Sequence, residues 1–201
     1  MPTRNCSLEE FTSRLRDRIG ARTQDAPGDS PALSERSTID EINEASKRLA
    51  KELELWIPYP AALALGDPYP SGVENEVFFD SSSNTVIKIN NLMVSRSVLH
   101  LFERLLLHNQ MFPQTAYILI GFTGFGHGSI YPVLRQNYIA NATYATHGEI
   151  LDYMEALGFS ARGEAVFTNT QLTITDLRPR NVLKNDRGTI YVIDADFHLE
   201  N

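Results

Sequence analysis

DLRPRNVLKNDRGTIYVID, residues 176–194, decides how this chain is read. Asp176 is followed five residues later by Asn181, and Asp194 comes thirteen residues after Asn181. Between Asn181 and Asp194 two apolar stretches flank a turn at Asn185–Gly188, the pattern of a β-hairpin. A hairpin brings its two ends together, so Asn181 and Asp194 are expected side by side. Two oxygen donors at adjacent strand ends suit Mg²⁺, which prefers carboxylate and carbonyl oxygens and shares its shell with substrate phosphates. Asp176, on the loop just before, would face such a phosphate as a base or orienting group. An ordinary surface hairpin with Asp and Asn as turn formers is the competing reading, because a lone D-x4-N arises often by chance.

Upstream, strand texture begins near residue 60. GVENEVFFD (72–80) alternates roughly, SSSN (81–84) is a turn, and TVIKIN (85–90) sets β-branched residues around one lysine. SVLHLFERLLLH (97–108) reads as an amphipathic helix ending before Pro113. AYILIGF (116–122) and SIYPVLRQNYI (129–139) read as partner strands, and HGEILDYMEALGF (147–159) as a further helix. Nearer the start, Ser7 and Glu10 fit a capping box for a helix with Leu8, Phe11, Leu15 and Ile19 on one face. TQDAPGDSPALSERS (23–37) has no periodic face and reads as a flexible linker. Thr38 and Glu41 open a second helix carrying Ile39, Ile42, Leu49 and Leu53, ended by Pro58 and Pro60. The expected organisation is a helix and linker over 1–37, a helix over 38–59 and an α+β domain over 60–201.

The 176–194 segment resembles the catalytic loop and metal-binding strand of protein kinases and related small-molecule phosphotransferases, whose pattern is H-x-D-x-x-x-x-N followed by a strand ending in Asp. The resemblance implies a kinase-like fold. An antiparallel-sheet N-lobe with one helix would span about 60–136, and a reduced helical C-lobe about 137–201. It implies that Asp176 is the catalytic aspartate, that Asn181 and Asp194 hold Mg²⁺, and that Arg178 stands near the transferred phosphate of ATP. Ile174 occupies the place of the motif's histidine, and Asp-Ala-Asp replaces Asp-Phe-Gly.

The same template calls for a mid-strand lysine on the α- and β-phosphates, oriented by a glutamate from the following helix. Lys88 and Glu103 fill those places. Read by itself, Lys88 is either a strand-edge lysine reaching water or a charge in need of a partner or ligand. The phosphate-covering loop reduces to Gly72, which serves either a close backbone approach to phosphate or a turn. Glu74 and Glu76 beside it would repel phosphate unless they point away. Gln136, within Arg135–Tyr138, falls by position at the adenine-binding hinge. GFTGFGHG (121–128) superficially resembles a phosphate loop, but it precedes a strand and reads as a turn.

Within that superfamily, G-V-E-N-E-V, V-I-K-I-N-N, Y-P-V-L-R-Q, E-I-L-D-Y-M-E-A-L-G-F and D-L-R-P-R-N-V-L resemble the Ser/Thr/Tyr kinase-like domain of bacterial polyvalent proteins, products of phages and conjugative elements. This implies a bacterial or mobile-element origin. The sequence ends seven residues beyond Asp194, where protein kinases continue with an activation segment. The expectation is therefore that the N-terminal helices or a partner chain complete the helical lobe, or that the acceptor, protein or small molecule, is recognised differently. A non-catalytic nucleotide-binding or protein-interaction module is the alternative reading.

Composition narrows the field. The formal net charge is −7, and Lys and Arg number nine in residues 1–55 and nine in the remainder, outnumbered by Asp and Glu in both. A phosphate-tracking surface needs concentrated positive charge, so nucleic acid is not an expected partner. No stretch approaches the length of a membrane-spanning helix and MPTRNCSLEEF lacks the apolar run of a secretory signal, so a cytoplasmic location is expected. With one cysteine, Cys6, and five histidines without ligand spacing, neither a disulfide framework nor a zinc site is expected.

Overall fold

Ser7 starts the first helix, α1 (Leu8–Thr23): its hydroxyl accepts the Glu10 N–H at 3.1 Å. The Glu10 carboxylate takes Arg14 at 2.6 Å, so the expected capping box is formed on its serine side. Leu8, Phe11 and Leu15 are buried, one per turn on the same face. The computed structural model describes residues 6–23, 31–126 and 128–200.

Helix α2 (Pro31–Glu52) begins seven residues before Thr38, with proline at its first position, where the missing N–H costs nothing. Thr38 therefore lies inside the helix and not at its start. Of the expected linker, residues 24–30 lie outside the described residues. The end of α2 is also earlier than Pro58 and Pro60 suggest. Leu55 N–H donates to Ala50 O at 2.8 Å and Glu54 N–H to Lys51 O at 3.1 Å, with Glu54 at φ 58°. That is a Schellman closure with glutamate where glycine is usual. Pro60 instead lies in the first turn of the short α3 (Tyr59–Leu63).

Five strands follow: β1 (Asp67–Tyr69), β2 (Asn75–Asp80), β3 (Thr85–Asn90), β4 (Ile118–Thr123) and β5 (Tyr131–Asn137), in the order β1-β2-β3-β5-β4. Helix α4 (Val98–Met111) connects β3 to β4. Period-2 alternation sorts β3: Ile87 and Ile89 join Phe78 and Val133 in one apolar cluster, and Lys88 and Asn90 take the other face. A larger core unites α1, α2, α4 and β4. At its centre Phe11 lies 5.6 Å from Phe102 and 4.6 Å from Phe122 between ring centroids. Burying such a ring contributes about 1.5–3 kcal/mol. The N-terminal helices thus belong to the first of two units, Met1–Leu106 with Tyr117–Gln136.

The second unit is Leu107–Ala116 with Asn137–Asn201. It contains β6 (Thr143–Tyr144), α5 (His147–Ala156), β7 (Ser160–Gly163), β8 (Val166–Thr168), β9 (Leu172–Thr175), β10 (Val182–Lys184), β11 (Ile190–Val192) and β12 (Asp196–Leu199). The strands form two sheets, β11-β10-β6 and β12-β9-β8-β7. This corrects the expected helical C-lobe: among the described residues the unit is strand-rich, with α5 its one complete α-helix. Leu172 and Ile174 alternate with polar threonines, a strand period, and their buried side joins Phe167, Ile150 and Met154. Both units are α+β, with β1–β2, β2–β3 and β4–β5 in the first and β10–β11 and β9–β12 in the second pairing antiparallel. Among the described residues no helix is long and apolar enough to cross a membrane.

Candidate active site

The loop between β9 and β10 is built around Asp176. Its φ of 59° is in the left-handed region, which Asp tolerates better than most residues because its short side chain bonds locally. Asn181 secures that conformation: its Nδ2 donates to Asp176 O and to Asp176 Oδ2, both at 2.8 Å. Arg180 Nη2 reaches Asp176 Oδ1 at 3.0 Å, and Arg178 Nε reaches the same oxygen at 3.1 Å. These arginines are more than half exposed, so the pairs aim the carboxylate more than they stabilise the fold.

The hairpin closes as its sequence predicts. Val182 pairs with Val192 and Lys184 with Ile190, and Ile193 N–H donates to Asn181 O at 2.9 Å. Asp194 therefore follows directly on a residue bonded to Asn181. Two residues later the chain enters β12, where Asp196 pairs with Thr175, the neighbour of Asp176. Backbone pairing thus gathers Asp176, Asn181 and Asp194 at one end of these strands. With Nδ2 of Asn181 committed to Asp176 and its backbone oxygen to Ile193, its side-chain Oδ1 is the atom that could face a cation. Among the described residues no three His, Cys, Asp or Glu side chains cluster into a metal site. The donor set fits a hard cation such as Mg²⁺, which takes one or two protein oxygens and completes its shell with water and phosphate.

In the first unit, Lys88 sits mid-strand on β3 and is only 9% exposed. Its Nζ donates to the Tyr117 hydroxyl at 3.0 Å and lies 4.8 Å from that ring's centroid. The strand-edge reading of Lys88 is excluded, since β3 has neighbours on both sides. Gln136 is 2% exposed near the end of β5. Gly72 lies between β1 and β2 without a left-handed φ, and a Cβ there would meet nothing within 4 Å. No turn strain explains this glycine; the space above its backbone is open.

Glu103 is not brought to Lys88. Its carboxylate accepts from Arg16 of α1 at 2.9 Å, with 41% of its side chain exposed. The reason is helix phase: Leu101, Phe102 and Leu105 occupy the buried face of α4, and Glu103 falls on the opposite side. Its neighbour Arg104 instead reaches into the β1–β2 loop and holds Glu74 at 3.0 Å, both side chains 15% exposed or less. Asn90 Nδ2 donates to the same Glu74 oxygen at 3.1 Å. Glu76 accepts from the Tyr59 hydroxyl at 3.2 Å. The two loop acids are thus engaged by protein groups.

The second unit also has two recesses. The larger, about 740 Å³, is lined by Glu149, Asp152, Lys184 and Asp186 at the turn end of the β10–β11 hairpin, opposite the end carrying Asn181 and Asp194. The smaller, about 520 Å³, borders the loop between β9 and β10 and is lined by His147, Glu164, Ala165, Val166 and Arg178–Arg180.

A family model described as serine/threonine/tyrosine kinase found in polyvalent proteins matches residues 41–201, most of the chain. The chain belongs to that kinase family. No curated protein and no solved structure matches it. The matched region includes every residue assigned above to the site, while the first turns of the kinase-family chain, with Phe11 and Arg16, precede it. Three contacts in this kinase-family chain went unread in the sequence. Tyr117 is twenty-nine residues from Lys88 and carries no motif. Arg180 could have been found, four residues after Asp176 on a tight loop. Arg104 and Glu74 are thirty residues apart and meet only through the fold.

Proposed function

We propose that this kinase-family chain transfers the γ-phosphoryl group of ATP to a hydroxyl acceptor, with Mg²⁺ as cofactor. The observation that carries the proposal is the Asp176–Asn181 lock closed onto the β10–β11 hairpin, which sets a carboxylate and two oxygen donors at one strand end. Asn181 and Asp194 would hold the metal, which when bound neutralises charge on the phosphate oxygens. Lys88 supplies a fixed positive charge for the phosphates from a buried strand position, where electrostatic interactions are strongest. Gly72 leaves room for the phosphates to approach the backbone. Gln136 marks the adenine end. Asp176 accepts the acceptor hydroxyl's proton as its oxygen bonds to the γ-phosphorus and the bond to ADP breaks. Arg178, beside Asp176, offsets the charge that develops on the transferred group.

One observation favours a second reading, a non-catalytic nucleotide-binding or interaction module. In active protein kinases the strand lysine and helix glutamate form an ion pair, whereas Glu103 pairs with Arg16. Transfer of radiolabelled γ-phosphate to the protein itself and to mixed protein acceptors separates the two. The proposal expects transfer that Asp176→Asn lowers by about 100-fold or more. Transfer equal in wild type and Asp176→Asn contradicts it, and MgATP binding without any transfer selects the second reading.

A further inference from the structure

The smaller recess holds more positive charge than the phosphotransfer reaction, which uses Arg178 alone of its arginines, needs. Its lining combines Arg178, Arg180, His147 and Glu164 with Pro179, Ala165 and Val166. Arg180 spends Nη2 on Asp176, and Arg178 spends Nε; among the described residues no further bond engages either guanidinium. Each therefore keeps a planar array of N–H donors, about 60% exposed to solvent. His147, the first residue of α5, lies 3.3 Å from Glu164 across the same opening. Two arginines fixed from one side by a shared carboxylate and open on the other form a fork suited to a carboxylate or phosphate. Because both touch Asp176, an anion held there sits next to the hydroxyl that Asp176 would deprotonate.

We infer that this recess is an acceptor subsite for an acidic peptide, with Arg180 the specificity-determining residue and a carboxylate or phosphate flanking the acceptor hydroxyl as its ligand. The inference rests on the phosphotransfer reading for its word acceptor, but the anion contact itself needs no nucleotide. Arg178 is shared with the reaction, whereas Arg180 and His147 face the flanking residue. The remainder of the surface, acidic in sum, opposes anions, so selectivity comes from this fork and not from net charge.

The test is fluorescence anisotropy with labelled seven-residue peptides carrying a central serine flanked by glutamate, phosphoserine, alanine or lysine, without nucleotide. The glutamate and phosphoserine peptides should bind at least about tenfold more tightly than the alanine peptide, and the lysine peptide more weakly still. A larger gain for phosphoserine than for glutamate identifies phosphate as the ligand, and equal gains a carboxylate. Arg180→Glu should abolish the preference, and Arg180→Lys should retain part of it. Since Arg180 also holds Asp176, circular dichroism on each variant confirms that the fold is retained. Indifference of the wild type to peptide charge, or a preference that survives Arg180→Glu, overturns the inference. Stabilisation by MgATP, measured separately, tells whether the phosphotransfer reading stands when the peptide result fails.

Discussion

Asn181 holds Asp176 twice, through the backbone carbonyl and through the carboxylate, each at 2.8 Å. One amide group therefore fixes both a left-handed backbone and the direction of the side chain that would do the chemistry. The same residue bonds Ile193 through its own carbonyl, which ties the loop to the strand that delivers Asp194. The position of Asp176 and that of Asp194 are consequently not independent.

Asn181→Ala should destabilise the chain by about 1–2 kcal/mol, the cost of a lost local network holding a strained aspartate. Urea denaturation checks this. Asn181→Asp should cost at least as much, because a carboxylate then faces the Asp176 carboxylate and cannot donate. A variant as stable as wild type in both cases would show that the lock does not organise the loop.

Lys88→Met removes a buried cation from β3 while keeping its length. Stability should fall, since the variant takes the donor to the Tyr117 hydroxyl out of a buried polar contact, at a cost of about 1–3 kcal/mol. Binding of MgATP should weaken by at least about tenfold, measured by titration calorimetry. Unchanged affinity would remove Lys88 from the nucleotide site.

Glu54 closes α2 in the left-handed region at φ 58°. Glu54→Gly should raise stability by about 0.5–1 kcal/mol by relieving the Cβ clash, less the extra freedom glycine has when unfolded. Equilibrium unfolding reads the effect directly. A loss of stability would mean that the helix end is held in some other way.

Glu149 carries the pH dependence of α5. Lys184 at 2.5 Å, then the Thr146 N–H at 2.9 Å, lower its carboxyl from 4.5 to about 2. A depressed folded-state value means stability that is complete above about pH 4.5 and lost as the pH falls toward 2. Denaturation between pH 2 and 6 should show this slope, and Glu149→Gln should flatten it. An identical slope in the variant would place the titration elsewhere.

Much of the second unit's candidate site was legible as an arrangement of residues because it is local. Asp176, Asn181 and the hairpin to Asp194 lie within nineteen residues, and turn chemistry at Asn185–Gly188 fixes their register. Lys88 was legible as a lone charge in an apolar strand. Glu103 was misread because residue type and order were matched without helix phase: Leu101, Phe102 and Leu105 already assign the buried side of α4. Its partner Arg16 is eighty-seven residues away and leaves no local trace. The strands of the second unit were partly hidden for another reason. β7 is exposed along its whole length, so Ser160–Gly163 shows no apolar alternation, and its pairing with β8 is set by the neighbouring strand. The early start of α2 was masked by a Pro- and Ser-rich stretch that resembles a linker, although Pro31 suits a first helical turn.

Thermal unfolding with and without millimolar MgATP, in wild type and Asp194→Ala, tests the central claim most directly. Binding to the native state at one hundred times the dissociation constant stabilises by about 2.7 kcal/mol, enough to raise the midpoint by several degrees. The account predicts such a rise in wild type, dependent on Mg²⁺ and absent in Asp194→Ala. No rise in wild type, or an equal rise in Asp194→Ala, would contradict it.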